Sequence, residues 1–256
     1  MNKYLGLLKK LLVLTTPVLA SFVSISPSRA ATFAFSQGNA LFSEFSQSPS
    51  NVATDTDTET LAIGGMVQAM AEAEAIFLVE PAVAFNSSLS KTFGESQDYL
   101  GVAESEASVI GNFDIEANTK FSFDFISNLE LATSIDNPPK ESARASGDIS
   151  FALVDTQNND VLDFFNLVGN IVTESDDDFV ALQKSDNVIL SQAFGAPGFG
   201  GLQEFLAVSI EGSLQRYFAD KTTVALVEVK RNRAEVKVPE PSSTVALLLA
   251  GGVVGI

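Results

Sequence analysis

Apolar and polar side chains alternate with a period of two along most of the chain after residue 30. The alternation is clearest where Phe121, Phe123 and Phe125 are separated by Ser122 and Asp124. Such a period is typical of strands that bury one face. Each segment with this pattern is therefore predicted to be a strand. The same pattern recurs at residues 102–110, 113–117, 129–135, 149–153 and 223–229.

Residues that favour tight turns separate these strands, and no regular alternation of strands with long helices is visible. Strands spaced in this way predict an all-β fold, a single antiparallel β-sandwich of jelly-roll-like type. The sandwich is expected to occupy residues 31–237. The turn signals lie at Gly94, 111–112, 136–139, 158–160 and 195–201.

Three segments fit the pattern less well. Residues 63–80 have a helix-forming composition but also alternate, and a strand is predicted there. Residues 161–172 are compatible with a short helix or a bent hairpin. Residues 46–60 are rich in Ser, Thr and Asp and nearly free of large apolar groups, so a loop or disordered strap is predicted. The acidic residues of this strap, Asp55, Asp57 and Glu59, are expected only to aid solubility.

The residue types that are missing narrow the possible chemistry. The chain contains 0 Cys, 0 His and 0 Trp, which excludes disulfides, thiol or imidazole catalysis, and metal sites built from Cys or His. Carboxylate, Lys, Tyr and hydroxyl chemistry remains open. A glycosidase needs only two carboxylates. Because the chain has 32 acidic residues, the presence of two carboxylates does not indicate glycosidase activity. Tyr99 and Tyr217 could replace Trp in stacking against a sugar.

The chain is strongly acidic, with 15 Lys and Arg against 32 Asp and Glu. Nucleic acid is therefore not expected as a partner. Four basic residues gather near the C-terminus: Lys230, Arg231, Arg233 and Lys237. They would lie near anionic headgroups if the tail were embedded in a membrane. Equally, they would protect a terminal edge strand against pairing with another chain.

Candidate metal ligands occur at Asp176, Asp177 and Asp178. Three successive carboxylates could bind Ca²⁺ weakly, as extracellular modules do, or could form a solvated turn, which we favour. The segment 155–160 resembles a calcium loop only superficially, because it lacks the glycine of the tight turn. The glycine-rich segment 195–201 lacks the lysine of a phosphate-binding loop. No other cofactor is expected.

The first 30 residues have the features of a secretory signal peptide. A positively charged start precedes a mostly apolar stretch at 11–25, and small residues follow. This arrangement predicts cleavage by signal peptidase between Ala30 and Ala31. An uncleaved anchor helix is the alternative, although Pro17 interrupts the apolar stretch.

Residues 238–256 combine a rigid tripeptide with an uncharged, mostly apolar run. Pro239 and Pro241 favour an extended backbone around Glu240, so a processing enzyme could read the segment. Val238, the Pro-Glu-Pro tripeptide and the two serines that follow resemble the sorting signal of PEP-CTERM proteins. This resemblance implies a secreted protein that an exosortase processes at the membrane, in an envelope that produces exopolysaccharide.

The tail departs from the family pattern in its length. Family tails end in a longer apolar helix and a short Arg/Lys cluster. The run at 244–256 would reach about 20 Å as a helix, short of the roughly 30 Å hydrocarbon core. We therefore expect the tail to be an incomplete form of the signal and its membrane association to be transient.

Three function classes remain open. We favour a non-catalytic, secreted protein of the periplasm, outer cell surface or extracellular matrix, with exopolysaccharide as a partner. The second class is a carbohydrate- or calcium-binding β-sandwich module, and the third is a carboxylate-based glycosidase. A smooth acidic exterior would favour the first class, an aromatic-lined groove the second, and two converging buried carboxylates the third.

Overall fold

The computed structural model describes residues 31–173 and 175–238, and every regular element within them is a strand. The strands pair antiparallel throughout, so the all-β prediction is confirmed. In chain order they are β1 (Ala31–Ser43), β2 (Asn51–Leu78), β3 (Val83–Ile115), β4 (Thr119–Ser134), β5 (Ser142–Asp155), β6 (Val161–Val172), β7 (Phe179–Lys184), β8 (Val188–Gly198), β9 (Gln203–Phe218) and β10 (Thr222–Val238).

The strands form one sheet that folds into two layers at β3. In the part of the chain that the structure describes, the sheet order is β7-β6-β5-β10-β3-β1-β4-β9-β8, and β2 pairs with β3. The first half of β3 pairs with β1 and its second half with β10. Its buried positions change from even numbers up to Gly94 to odd numbers from Tyr99. The layer of β1, β4, β9 and β8 therefore faces the layer of β10, β5, β6 and β7, which confirms the predicted sandwich.

Strand β2 follows β3 around this bend. Its first part pairs with the second half of β3 and its last part with the first half, with a register shift between Gly64 and Met66. Gly64 and Gly65 have positive φ angles of 72° and 41°, and glycine is the residue that adopts such angles without steric cost. The two glycines therefore allow β2 to pair with both halves of β3 and so to be the edge strand of both layers.

The prediction of a loop at 46–60 was wrong for residues 51–60, which belong to β2. Most of their side chains are exposed, so no apolar alternation marks the strand. Pairing of the backbone with β3 defines the segment instead. The strand predicted within 63–80 is confirmed as far as Leu78.

Phenylalanine rings fill the space between the layers. The rings of Phe42 in β1 and Phe125 in β4 lie 5.6 and 5.0 Å from the ring of Phe151 in β5, centroid to centroid. Phe165 of β6 stacks on Phe151 at 5.3 Å. Full burial of each such ring stabilises the fold by roughly 1.5–3 kcal/mol. The alternation predicted at 121–125 is confirmed, since all its rings are buried in this core.

Some local interpretations of the sequence were wrong. Residues 161–172 form β6 rather than a helix or a hairpin, because Phe165 and Leu167 alternate into the core. Gly94 and Gly111 lie inside β3 rather than in turns, and residues 195–198 belong to β8. The connections predicted at 136–139 and 158–160 are confirmed.

Strand β10 is central, because it pairs with β3 on one side and with β5 on the other. The interpretation of its basic residues as protection of an edge strand was therefore wrong. Lys230 is fully buried and cannot contact headgroups, while Arg231 and Arg233 pair with carboxylates on the outer face. Among the described residues, no helix is long and apolar enough to cross a membrane.

Candidate functional site

A groove of about 860 Å³ runs over the outer face of the layer that contains β10. Pairing brings Glu106 of β3, Arg231 of β10 and Asp148 of β5 side by side across its floor. The next row along the strands contains Glu104 and Arg233, also on neighbouring strands. The acidic edge of β2 and the connection after β6 form the walls of the groove.

Ion pairs organise the floor of the groove. Arg231 Nε donates to Glu106 Oε2 at 2.8 Å, and Arg233 Nη1 donates to Glu104 Oε1. A second nitrogen of Arg233, Nη2, lies 2.9 Å from Glu235 Oε2. These guanidinium groups keep donors facing solvent, since Arg231 and Arg233 remain 65% and 45% exposed. Charged forks of this kind bind hydroxyl, carboxylate and phosphate groups well.

Asp148, which lies in this row, has a carboxyl group with a raised pKa. Partial burial raises its pKa, the charge of Arg231 opposes that rise, and Glu106 adds to it. A carboxyl group in this position can act as an acceptor when ionised and as a donor when protonated. The floor of the groove therefore offers both hydrogen-bond donors and hydrogen-bond acceptors.

The predicted metal residues Asp176, Asp177 and Asp178 lie in one wall of the groove. Two of them are engaged with the chain: Asp178 Oδ1 accepts from Val172 N at 2.8 Å, and Asp177 Oδ2 accepts from Ser175 Oγ at 2.8 Å. These bonds are typical of a turn that carboxylates stabilise. Within the described ranges, no group of three or more Asp or Glu has the arrangement of a metal site. Calcium binding here stays a prediction.

Other candidates from the sequence are placed as follows. Asp57 and Glu59 line the groove, a role that was missed because their segment was interpreted as a loop. Tyr99 is buried, and Tyr217 is 61% exposed on β9. Ala31 begins β1, and its backbone nitrogen donates to Asp136 Oδ2 at 3.0 Å. Ala30 and the sorting tripeptide Pro239, Glu240 and Pro241 lie outside the described residues.

A second polar group lies inside the sandwich, between the layers. Its central members, Asn86 of β3 and Glu228 and Lys230 of β10, are all fully buried. Lys230 Nζ donates to the Oδ1 of Asn86 and, at 3.0 Å, to its backbone oxygen. Asn86 Nδ2 donates to Glu228 Oε2, and Glu228 Oε1 lies 3.2 Å from Lys230 Nζ. We call these three residues the buried triad.

Further hydrogen bonds continue from the triad toward the bend of β3. Asn232 Nδ2 donates to Ser88 O at 3.2 Å, and Ser36 Oγ donates to Asn232 Oδ1 at 2.6 Å. Beyond them, Ser90 Oγ lies 2.9 Å from Ser105 Oγ. These polar residues separate a large apolar cluster from a smaller one around Tyr99. A continuous polar network between two layers specifies how the layers align.

Burial dominates the electrostatics of the triad. It raises the pKa of Glu228, which the charge of Lys230 and the hydrogen bond from Asn86 oppose. It also lowers the pKa of Lys230 to about 8, against the attraction of Glu228. Both shifts favour the neutral forms, a carboxylic acid and a free amine.

Sequence reasoning missed the triad, although one signal pointed to it. Val224 and Leu226 face the core, and the period of two places Glu228 and Lys230 on the same side of β10. Asn86 carried no such signal. Comparisons of the chain with protein-family models, with curated proteins and with solved structures gave no match.

Proposed function

We propose that this chain is a secreted, non-catalytic protein of the cell surface or extracellular matrix that an exosortase-type enzyme processes. The observation that carries the proposal is the position of the Pro-Glu-Pro tripeptide. It follows directly on Val238, the last residue of β10. Because the strands of the described sandwich end at Val238, recognition and cleavage of the segment that follows would leave the sandwich intact.

Two features of the domain are compatible with an extracellular role. The fold is built from buried aromatic and aliphatic residues in a chain with 0 Cys, so it requires no oxidative maturation. The net charge of −17 favours solubility and discourages binding to other polyanions.

The groove supports a second, narrower candidate function, the binding of a polysaccharide. Arg231 and Arg233 offer paired donors, and Asp148 offers an acceptor. Phe179, which is 46% exposed at the rim, provides an apolar face for a sugar ring. Hydrogen-bonding side chains beside an exposed ring are the usual means of holding a sugar.

Processing tests the main proposal. In a host that contains the exosortase, mature protein should begin at Ala31 and lack the segment after the tripeptide, as N- and C-terminal sequencing would show. Glu240→Ala should block the C-terminal cleavage, whereas the control Glu116→Ala, an exposed carboxylate of the domain, should be processed normally. A mature start at Met1, or normal processing of Glu240→Ala, would refute the proposal.

Direct binding tests the narrower candidate. Calorimetry with exopolysaccharide purified from the host should show binding to the wild type and a loss of at least about tenfold for Arg233→Ala, about 1.4 kcal/mol. Lys120→Ala, an exposed cation of β4 whose Nζ donates to Gln215, is the matched control. Equal affinity in all three proteins would exclude the groove as the binding site.

A further inference from the structure

The buried triad has the composition and contacts of a reactive site. The amide of Asn86 lies between the other two side chains, since its oxygen accepts from Lys230 Nζ and its nitrogen donates to Glu228 Oε2. The carbon Cγ of this amide is one bond beyond the oxygen that Nζ contacts. All three side chains are completely excluded from solvent. An amine, an amide and a carboxyl group are thus held together away from bulk solvent.

We propose that Lys230 and Asn86 form an intramolecular isopeptide bond and that Glu228 is the catalytic residue for it. The neutral amine of Lys230 attacks Cγ of Asn86. A bond forms between Nζ and Cγ, the bond between Cγ and Nδ2 breaks, and Nδ2 leaves as ammonia. Glu228 gives a proton to the leaving nitrogen and takes one from the attacking nitrogen, so it ends unchanged. The reaction needs no oxidant or other reactant.

The environment supplies what each step requires. An amine must be unprotonated to attack, and burial disfavours the charged form of Lys230. The acid must carry a proton to release ammonia, and burial likewise favours protonated Glu228. Transfer of one proton from Lys230 to Glu228, across 3.2 Å, produces both reactive forms at once. Fixed contact between the groups removes the entropic cost of bringing them together.

Small residues around the lysine leave room for this arrangement. Gly38 of β1 faces the stem of Lys230, and a Cβ at Gly38 would lie only 3.3 Å from Lys230 Cδ and 3.0 Å from Asn232 Nδ2. On both neighbouring strands Lys230 pairs with apolar residues, Ala107 of β3 and Ile149 of β5. The complete burial of the triad keeps bulk water from the amine, so hydrolysis of the product is disfavoured.

The position of the bond gives it a mechanical consequence. Asn86 lies in the half of β3 that pairs with β1, and Lys230 lies in the opposite layer. The two residues are 144 positions apart in the chain. The bond would join the layers covalently and would fix β10, the strand that leads directly into the sorting segment. A chain with 0 Cys would obtain by this route the kind of crosslink that disulfides supply elsewhere.

Intact-mass spectrometry of the purified full-length chain tests the proposal, with both termini determined by sequencing. The mass should be lower than the sequence mass by one molecule of ammonia. Trypsin cleaves after Lys91, Lys221 and Arg231 but not after an acylated lysine. The digest should therefore contain a branched peptide in which the segment ending at Lys91 is joined to residues 222–231. Tandem fragmentation should place the branch between Asn86 and Lys230.

Two results with the wild type would overturn the proposal. One is the full sequence mass, with cleavage after Lys230. The other is a loss of ammonia confined to a linear peptide, which would indicate a succinimide between Asn86 and Ser87 instead. These measurements do not depend on the folding of any variant.

Variants of the three residues of the buried triad then test the role of each residue. Lys230→Arg and Glu228→Gln should both show the full sequence mass, and Asn86→Asp should lose water instead of ammonia. Lys91→Arg, a lysine of β3 outside the triad, is the control and should keep the ammonia deficit. A branched peptide in folded Glu228→Gln would overturn the role of Glu228. The outcome is independent of secretion and processing, so it can fail while the proposed function stands.

Discussion

The aromatic ring of Tyr99 packs directly against the backbone of Gly94 on the inside of the bend in β3. Its hydroxyl group donates to Thr32 Oγ1 of β1 at 2.7 Å. The ring therefore fills the corner where the strand passes from one layer to the other, and the hydrogen bond fixes that corner to β1. A side chain at Gly94 would occupy the space of the ring, since a Cβ would lie 2.8 Å or less from three ring carbons of Tyr99.

Gly94→Ala should consequently destabilise the domain by about 1–3 kcal/mol, the usual cost of overpacking a buried site. Urea denaturation followed by far-UV circular dichroism measures the difference in the free energy of unfolding. Gly195→Ala is the matched control, because a Cβ at Gly195 meets no atom within 4 Å, and a change below about 0.5 kcal/mol is expected. Equal stability of both variants would show that the ring can move aside.

A second prediction concerns the buried carboxylate of Asp163, whose side chain is 2% exposed. It accepts hydrogen bonds from Ser185 Oγ at 2.8 Å and from Arg216 Nη1 at 3.0 Å. Asp163→Ala should cost about 1.5–3 kcal/mol of unfolding free energy, because bonds to a charged group are lost and the arginine keeps no ionic partner there.

The control for Asp163 is an ion pair of similar type at the surface. Lys221 and Glu116 lie 2.6 Å apart but are 66% and 69% exposed, and such pairs contribute little to stability. Glu116→Ala should therefore leave the denaturation midpoint unchanged. A loss for Glu116→Ala as large as that for Asp163→Ala would contradict the argument from burial.

The third prediction is a pH dependence at Glu130 of β4. Burial raises the pKa of this carboxyl group above 4.5 in the folded protein. The folded state then holds the proton more tightly than the unfolded state does, so its stability contribution is present below pH 4.5 and is lost as the pH rises through the folded pKa. Glu130→Gln replaces the carboxyl group with a neutral amide, so the loss of stability at higher pH should not occur in this variant.

Compared with the wild type, Glu130→Gln should have a higher free energy of unfolding at neutral pH. The difference should vanish below pH 4.5, where the wild-type carboxyl group is also neutral. Denaturant titrations of both proteins, at neutral pH and below pH 4.5, measure the free energy of unfolding. An advantage of the variant that is the same at both pH values would assign the effect to packing instead of ionisation.

A fourth prediction is that the fold does not depend on a metal ion. Its core consists of buried apolar side chains, and the bonds made by Asp177 and Asp178 are internal to the chain. Far-UV circular dichroism and thermal unfolding of the full chain should be the same with and without a chelator. A lower melting temperature in the chelator would instead support a calcium site at Asp176, Asp177 and Asp178.

Local pattern alone predicted much of the architecture. The alternation at 121–125 identified β4 and its buried face, because a strand that buries one face must alternate its side chains. The alternation at 223–229 likewise identified the last strand, β10. Composition alone also excluded disulfides and imidazole or thiol chemistry, since the residues are missing from the chain.

Local patterns set the type of secondary structure, and composition set the available chemical groups. Which of these groups meet depends on how the sheet folds. Residues 51–60 form a strand because β3 supplies hydrogen-bond partners, and their own side chains show no apolar alternation. Lys230 is buried because its side chain lies on the face of β10 that packs against the opposite layer, whereas its charge suggested a surface. Asn86 contacts Lys230 across 144 positions of the chain, and a contact between distant segments depends on how the sheet folds, which no local pattern encodes.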